Sequence, residues 1–398
     1  IYFAEPLQSN DCPTNGLYKD GKEFYRKYPS NWTMPNIYYY VDNGLSNDAI
    51  NKAMREISEK TCLRFHLIDN RSLDTSMEGL RFISGKGCAT TLGKISSTTL
   101  HNISLGVNCS NNIPRIQTLI ATALGLINQH NRPDRDNYIS INMTDFDNRM
   151  KPFVCSRTSK FDDKQVNSYG IGYDYNSLMH WKTDVFRNNG TPTMQAKIPQ
   201  YNQMMGQQNG LSFSDYKLLN THFCSYLIRQ GYCNFNCSNS GYCLYGTPDK
   251  CMCPNGFNGT RCEDLVKNSD GCSNSTQNIT LSGEKLYFSE NGIKNCTYLI
   301  SVREGQRIQV NIKNVNTTGL KEKGKCAPEM GFEIKHRNDF SPAGLCLCGN
   351  HSSITFISDG NKIMILYRGN RTDDGFSLNL TTVENSDENT IKIKKENE

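Results

Sequence analysis

Residues 118–136 read TLIATALGLINQHNRPDRD, and the second part, GLINQHNRPDRD from Gly125 to Asp136, sets the register for the residues around it. Ahead of it, Ile116, Leu119, Ile120, Ala123, Leu124 and Ile127 recur at helical spacing. That spacing predicts a helix over 115–127, ending at Gly125 or just beyond. Between Thr118 and Gly125 this helix carries no histidine, cysteine or carboxylate. It therefore offers neither a metal ligand of the usual kind nor a general base.

Upstream, LSNDAINKAMREISEKTC (45–62) opens on a Ser46/Asn47/Asp48 cap and sets Ile50, Met54 and Ile57 on one helical face. NIYYYVD (36–42) reads as a strand, and SFSDYKLLNTHFC (212–224) predicts a third helix with Ser214 as its N-cap. From residue 272 onward the pattern changes to short strand-like runs: KLYFS, TYLISV, RIQVNI, GFEIKH, SITFIS, KIMILYR and FSLNLT. Several alternate apolar and polar residues between turn signals, which predicts a β-sandwich.

Cysteine usage fixes the compartment. Seventeen cysteines among 398 residues are incompatible with a reducing cytosol. Among the chain's sequons are those beginning at Asn31, Asn70, Asn102, Asn108, Asn142, Asn189, Asn258, Asn274, Asn278, Asn316, Asn350, Asn370 and Asn379. Together they predict a secreted, extracellular glycoprotein, with Asn31, Asn70, Asn102, Asn142, Asn274, Asn316 and Asn370 as the working glycosylation sites. No apolar run reaches the roughly 18–20 residues that span a bilayer, so no membrane span is expected. A formal charge of +5 is mild, and its one basic cluster, Lys392 to Lys395, sits in a polar tail, so no nucleic-acid partner is expected. No signal peptide is visible at Ile1, which implies removal or a start beyond it.

Five pieces of the first half, NWTMPNIYYYVD, SEKTCLRFH, GLINQHNRPDRDNYISIN, YDYNSLMHW and GLSFSDYKLLNTHFC, resemble, in order, the catalytic domain of the astacin family of zinc endopeptidases. The block CMCPNGFNGTRC (251–262) resembles the end of an EGF-like module, and the strand-rich tail resembles a CUB domain. The resemblance implies an α+β chain: an N-terminal extension (1–30), a two-lobed astacin-type domain (31–226), a disulfide-rich EGF-like module (229–263), an all-β CUB-like sandwich (272–384) and a polar tail (385–398). It also implies the bridges Cys62–Cys224, Cys88–Cys109, Cys233–Cys243, Cys237–Cys251, Cys253–Cys262 and Cys272–Cys296. Cys326 pairs with Cys346 or Cys348, with Cys326–Cys348 as the working assignment. An odd count leaves one cysteine over, from among Cys346, Cys348, Cys12 and Cys155. Calcium is expected in neither accessory module: LIRQGY precedes Cys233 without acidic residues, and Asn370 stands where a CUB carboxylate ligand would.

Members of the family bind zinc through H-E-x-x-H-x-x-G-x-x-H, with the glutamate as general base, and set a Met-turn beneath the metal followed by a tyrosine. Registering on Gly125 and RPDRD places the three ligand positions at Thr118, Thr122 and Asn128 and the base position at Leu119. The next glutamate becomes Gln129; the Met-turn methionine is Met179; the tyrosine position is Trp181. None of the seven histidines has another three to five residues away. Zinc is the cofactor of the family, but its ligands are missing, so no cofactor and no catalytic residue are expected. The expected function is a non-catalytic pseudoprotease that binds extracellular proteins or peptides, with the oligomeric state unknown. Two alternatives stay open: an active zinc endopeptidase using another ligand set, and a matrix-adhesive protein acting through its EGF and CUB modules.

Overall fold

The computed structural model describes residues 32, 35–68, 78–94, 99–142, 154, 157–185, 192–227, 233, 235–244, 250–283, 285–320 and 324–384. Cys12, Cys155, Asn31, Asn70 and Asn189 lie outside them. The chain divides into two compact units, one of residues 1–234 with 242–250, the other of 235–241 with 251–398.

The first unit mixes helix and sheet. Strands β1 (Asn36–Val41), β2 (Arg64–Leu67), β3 (Leu80–Ser84) and β4 (His101–Leu105) form a parallel sheet in the order β2-β1-β3-β4. Helix α1 (Asn47–Lys60) is capped by Ser46, whose hydroxyl accepts from the Asp48 N–H, and it buries Ile50, Ala53, Met54 and Ile57. Helix α2 (Ile113–Ala123) packs against α1. A short ribbon of β5 (Ile139–Ile141) and β6 (Met194–Ala196) precedes helix α3 (Phe213–Leu227). The N-cap of α3 is Ser212, not Ser214. Ser212 Oγ accepts from the Asp215 N–H at 3.2 Å and its own N–H donates to Asp215 Oδ2 at 2.9 Å. Ser214 is buried inside the first turn because a reciprocal cap needs the carboxylate three residues on.

Helix α2 also differs from the expectation, starting earlier and stopping sooner. Asn112 caps it by accepting from the Arg115 N–H at 3.0 Å, and a proline stands at its start, where the missing N–H costs nothing. At its end Gly125 has φ +98°, a left-handed conformation that a side chain would resist. The Leu126 N–H then reaches Ala121 O at 2.8 Å and the Gly125 N–H reaches Thr122 O at 2.9 Å, closing a Schellman motif. Leu126 and Ile127 are buried, but beyond the helix.

The disulfide-rich segment lacks a core of its own and lends its parts to both units. Strand β7 (Tyr242–Cys243) belongs to the first, where the Asn220 amide donates to Cys243 O at 2.9 Å and Tyr242 Oη donates to Lys60 O at 2.9 Å. Strands β8 (Cys251–Met252), β9 (Phe257–Asn258) and β10 (Asp264–Leu265) belong to the second, where Phe257 packs with Phe340, Met364 and Leu366. A segment this short buries too little apolar surface to stand alone.

The rest of the second unit is all β. Strands β11 (Asn278–Thr280), β12 (Leu286–Asn291), β13 (Lys294–Ser301), β14 (Gln306–Asn316), β15 (Phe332–Lys335), β16 (Leu345–Leu347), β17 (Asn350–Ile357), β18 (Lys362–Gly369) and β19 (Gly375–Glu384) form two sheets. Their orders are β11-β13-β18-β15-β16 and β12-β19-β14-β17. Tyr298, Ile300, Val310, Ile334, Ile365 and Leu378 fill the core. Asn370 donates its N–H to Asp374 Oδ2 at 2.8 Å, within a turn held also by Arg371.

Bridges join Cys62–Cys224, Cys88–Cys109, Cys233–Cys243, Cys237–Cys251, Cys253–Cys262, Cys272–Cys296 and Cys326–Cys348. Cys346 is buried in β16. Among the described residues no helix is long and apolar enough to cross a membrane.

Candidate functional site

Thr118 and Thr122 stand one turn apart on α2 and so share a face. Both are half-buried, as is Leu119 between them. The Thr118 hydroxyl donates to Pro114 O at 3.0 Å and the Thr122 hydroxyl to Thr118 O at 2.8 Å. Each is therefore folded back onto its own helix. Asn128, past the Gly125 turn, donates Nδ2 to Asn131 Oδ1 at 3.2 Å.

These residues do not fit zinc. The metal favours imidazole, thiolate and carboxylate donors. The three positions supply neutral oxygens, and two of them already serve their helix. Leu119 cannot accept a proton, so no acid–base step can be assigned here. Among the described residues no group of three or more histidine, cysteine or acidic side chains is placed to share a metal.

The scaffold around these positions is nevertheless well bonded. The Gln129 N–H donates to Met179 O at 3.0 Å, and Gln129 Oε1 accepts from the Asp174 N–H at 3.2 Å. The turn Ser177–His180 is anchored by Asp215 of α3. That carboxylate accepts from the Ser177 hydroxyl at 2.6 Å, the Leu178 N–H at 3.0 Å and the Ser212 N–H at 2.9 Å. Arg132 forms a bidentate pair with Asp134 at 2.8 Å and donates to Ile171 O at 3.1 Å. Arg135 donates to His130 O at 2.6 Å and to Thr158 O. The RPDRD signature is thus a clamp that holds loops. A cavity of about 120 Å³ beside it is lined by Leu126, Ile127, Gln129, Arg132, Val166 and others, but by none of the ligand positions.

Sequence reasoning missed an aromatic–imidazole cluster at the Trp181 position. The half-buried Trp181 ring lies 4.4 Å from the buried His130 ring, and His180 lies 6.1 Å from His130. His180 Nδ1 is 2.8 Å from Trp181 O, a carbonyl that can only accept, so Nδ1 carries the proton. Nε2 then accepts from the Tyr173 hydroxyl at 2.7 Å, and Tyr173 stacks on Tyr138 at 4.6 Å. Burial, then His180 and Arg135, hold the His130 imidazole far below its ordinary pKa, so it stays neutral. Histidines about 50 residues apart carry no periodic signal; only the fold brings them together.

Asp215 makes the acid–base behaviour of this scaffold testable. Burial first, and then the Asp174 charge, raise its pKa to about 6, against the hydrogen bonds from Ser177, Ser212 and Leu178. A carboxyl whose folded pKa exceeds its unfolded value holds its proton more tightly when folded. Its contribution to stability is therefore full below about pH 4 and lost as the pH rises towards 6, a change of about 3 kcal/mol. In thermal unfolding, Asp215→Asn is expected to be less stable than the parent throughout, yet to lack this decline between about pH 4 and 6.5. Parallel pH profiles for the two proteins would refute the assignment.

One family model, Astacin, a peptidase family, matches residues 25–224, and another, CUB domain, matches residues 263–380. The chain is similar to zinc metalloproteinase nas-34 of Caenorhabditis elegans, with 28% identity over 340 residues, covering 85% of this chain and 53% of that protein. It is similar to blastula protease 10 of Paracentrotus lividus, with 29% identity, covering 88% and 58%. The chain thus spans little more than half the length of these relatives. Among solved structures, high choriolytic enzyme 1, a hatching-enzyme zinc-protease from Oryzias latipes, matches at 27% identity with a TM-score of 0.41, over 48% of this chain and 90% of that one.

Proposed function

Since the chain belongs to the astacin peptidase family and carries a CUB domain, we propose that it is a secreted, non-catalytic member that binds extracellular proteins or peptides through the former active-site cleft. The observation that carries this reading is the donor set of α2. Thr118, Leu119 and Thr122 replace two ligands and the base, and both threonine hydroxyls are bonded back to the helix. Loss of all the charged chemistry beside a bonded clamp and turn supports retention of the fold without the reaction. A half-buried cleft free of ionisable ligands spares the desolvation cost that metal-free imidazoles and a carboxylate would carry. The segment from Cys233 to Cys262 is read as an EGF-like module on its three bridges, and such modules, like CUB domains, suit protein contacts.

Purified chain is expected to contain no stoichiometric zinc, to leave casein and gelatin intact, and to unfold at the same temperature with and without chelator. An extended peptide in the cleft is expected to shift the emission of Trp181; the other tryptophan, Trp32, is buried. Trp181→Ala should weaken that binding about tenfold, as loss of a contacting aromatic anchor does. Chelator-sensitive cleavage would establish the endopeptidase reading instead. Partner binding that survives Trp181→Ala but needs residues 272–384 would move the function to the β unit.

A further inference from the structure

The outward face of the sheet β12-β19-β14-β17 carries an uncharged row. Its inward face is core, with Phe288, Leu378, Leu380, Val310 and Ile312 buried. Side chains alternate along a strand, so Tyr287, Asn379, Asn311 and Thr355 point the other way. Strand register sets these four side by side: Tyr287 opposite Asn379, Asn379 opposite Asn311, and Asn311 opposite Thr355. Tyr287, on the edge strand β12, is 62% exposed, an open aromatic surface at one end of a row of amides and a hydroxyl. Asn379 begins the sequence Asn379-Leu380-Thr381, and the Thr381 hydroxyl lies on the same face, 3.4 Å from Gln309 Oε1.

We propose that Asn379 carries an N-linked glycan and that the ring of Tyr287 is the platform on which its first sugar rests. The donor is a lipid-pyrophosphate-linked oligosaccharide. Nδ2 of Asn379 bonds to the anomeric carbon of the sugar, and the bond from that carbon to the pyrophosphate oxygen breaks. One amide proton is released and the lipid pyrophosphate leaves, so no oxidant or reductant is needed. The transfer takes place on the extended chain before the sheet forms, and the half-buried position of Asn379 in the folded sheet is no obstacle to it. In an antiparallel pair, directly opposite Cβ atoms lie about 4.5–5.5 Å apart. A sugar on Asn379 therefore falls within reach of the Tyr287 ring and covers its apolar face. Asn311, Thr355 and Gln309 offer hydrogen bonds to sugar hydroxyls and present no charge to desolvate.

The test is glycopeptide mass spectrometry on the full chain secreted from eukaryotic cells, with amidase release in heavy-oxygen water to mark each occupied asparagine. Asn379 is expected to be occupied. Tyr287→Ala is then expected to lower the melting temperature of the second unit by about 2–4 °C, whereas Tyr287→Phe, which keeps the ring, leaves it unchanged. In a Thr381→Ala background, which keeps both Asn379 and Tyr287 but removes the acceptor sequence, Tyr287→Ala should have almost no effect. An unmodified Asn379 overturns the proposal. An equal loss in both backgrounds overturns the role of Tyr287.

Discussion

Replacing Thr118, Thr122 and Asn128 with histidine and Leu119 with glutamate is expected to create a zinc site from four positions that carry no histidine or carboxylate in the parent chain. Thr118 and Thr122 already share one face of α2, and the Schellman turn at Gly125 already redirects the chain towards Asn128. The Gln129 N–H bond to Met179 O also fixes the chain beyond the turn against the Met179 turn. The missing part is donor chemistry rather than geometry. Without metal the fourfold variant should be less stable than the parent, since three imidazoles and a carboxylate would enter half-buried positions without partners. With zinc at about a thousand times its dissociation constant it should recover about 4 kcal/mol. Calorimetry and thermal unfolding in zinc and in chelator measure both effects. Equal zinc binding by the parent chain would defeat the reading, as would a variant that binds no zinc although it folds. Metal binding in the variant need not restore cleavage, because Trp181 still lacks the oxygen of the family's tyrosine.

Legibility in the sequence followed the range of the interaction. The face of α1 was readable because Ile50, Met54 and Ile57 repeat at the helical period, and all three are buried. The sandwich strands were readable through alternation, and the family model for the first half covers the stretch that the five motifs spanned. The extent of α2 was misjudged because apolar residues continue through Leu126 and Ile127, while a glycine with positive φ had already ended the helix. Periodicity cannot separate a buried helix turn from the buried loop after it. The cap of α3 was misplaced by two residues, since three serine or aspartate side chains compete there and only the reciprocal bonds of Ser212 and Asp215 select one. At the site, register alone placed Thr118, Leu119, Thr122 and Asn128 at the family's ligand and base positions, and α2 does carry the first three. The cluster of His130, His180, Tyr173 and Trp181 was not legible, because its members meet only through the turn that Asp215 anchors from α3. The disulfide-rich segment looked separate by composition, yet its aromatic residue Phe257 is buried against Phe340 and Met364 of the sandwich.

Removing the Cys62–Cys224 bridge by paired serine substitution is expected to destabilise the first unit more than removing Cys88–Cys109. The first bridge closes a span of 162 residues and the second a span of 21. Loop-closure entropy in the unfolded chain then gives about 5 kcal/mol for the long loop against about 3 kcal/mol for the short one. Local structure adds to the difference. Cys62 and Cys224 are 1% and 2% exposed, and the Cys62 N–H donates to Cys224 Sγ at 3.2 Å. The bridge ties the chain just after α1 to the last turns of α3, the helix whose first turn carries Asp215. Loosening α3 weakens the hold of Asp215 on Ser177 and Leu178, and through them the positions of His180 and Trp181. The double serine variant should therefore lose about 10–20 °C of melting temperature and show a redder Trp181 emission before the main transition. Equal losses from the two bridges would mean that the unfolded chain is already compact enough to erase the entropy difference. An early red shift from the Cys88–Cys109 variant alone would show that Trp181 is supported from β4 rather than from α3.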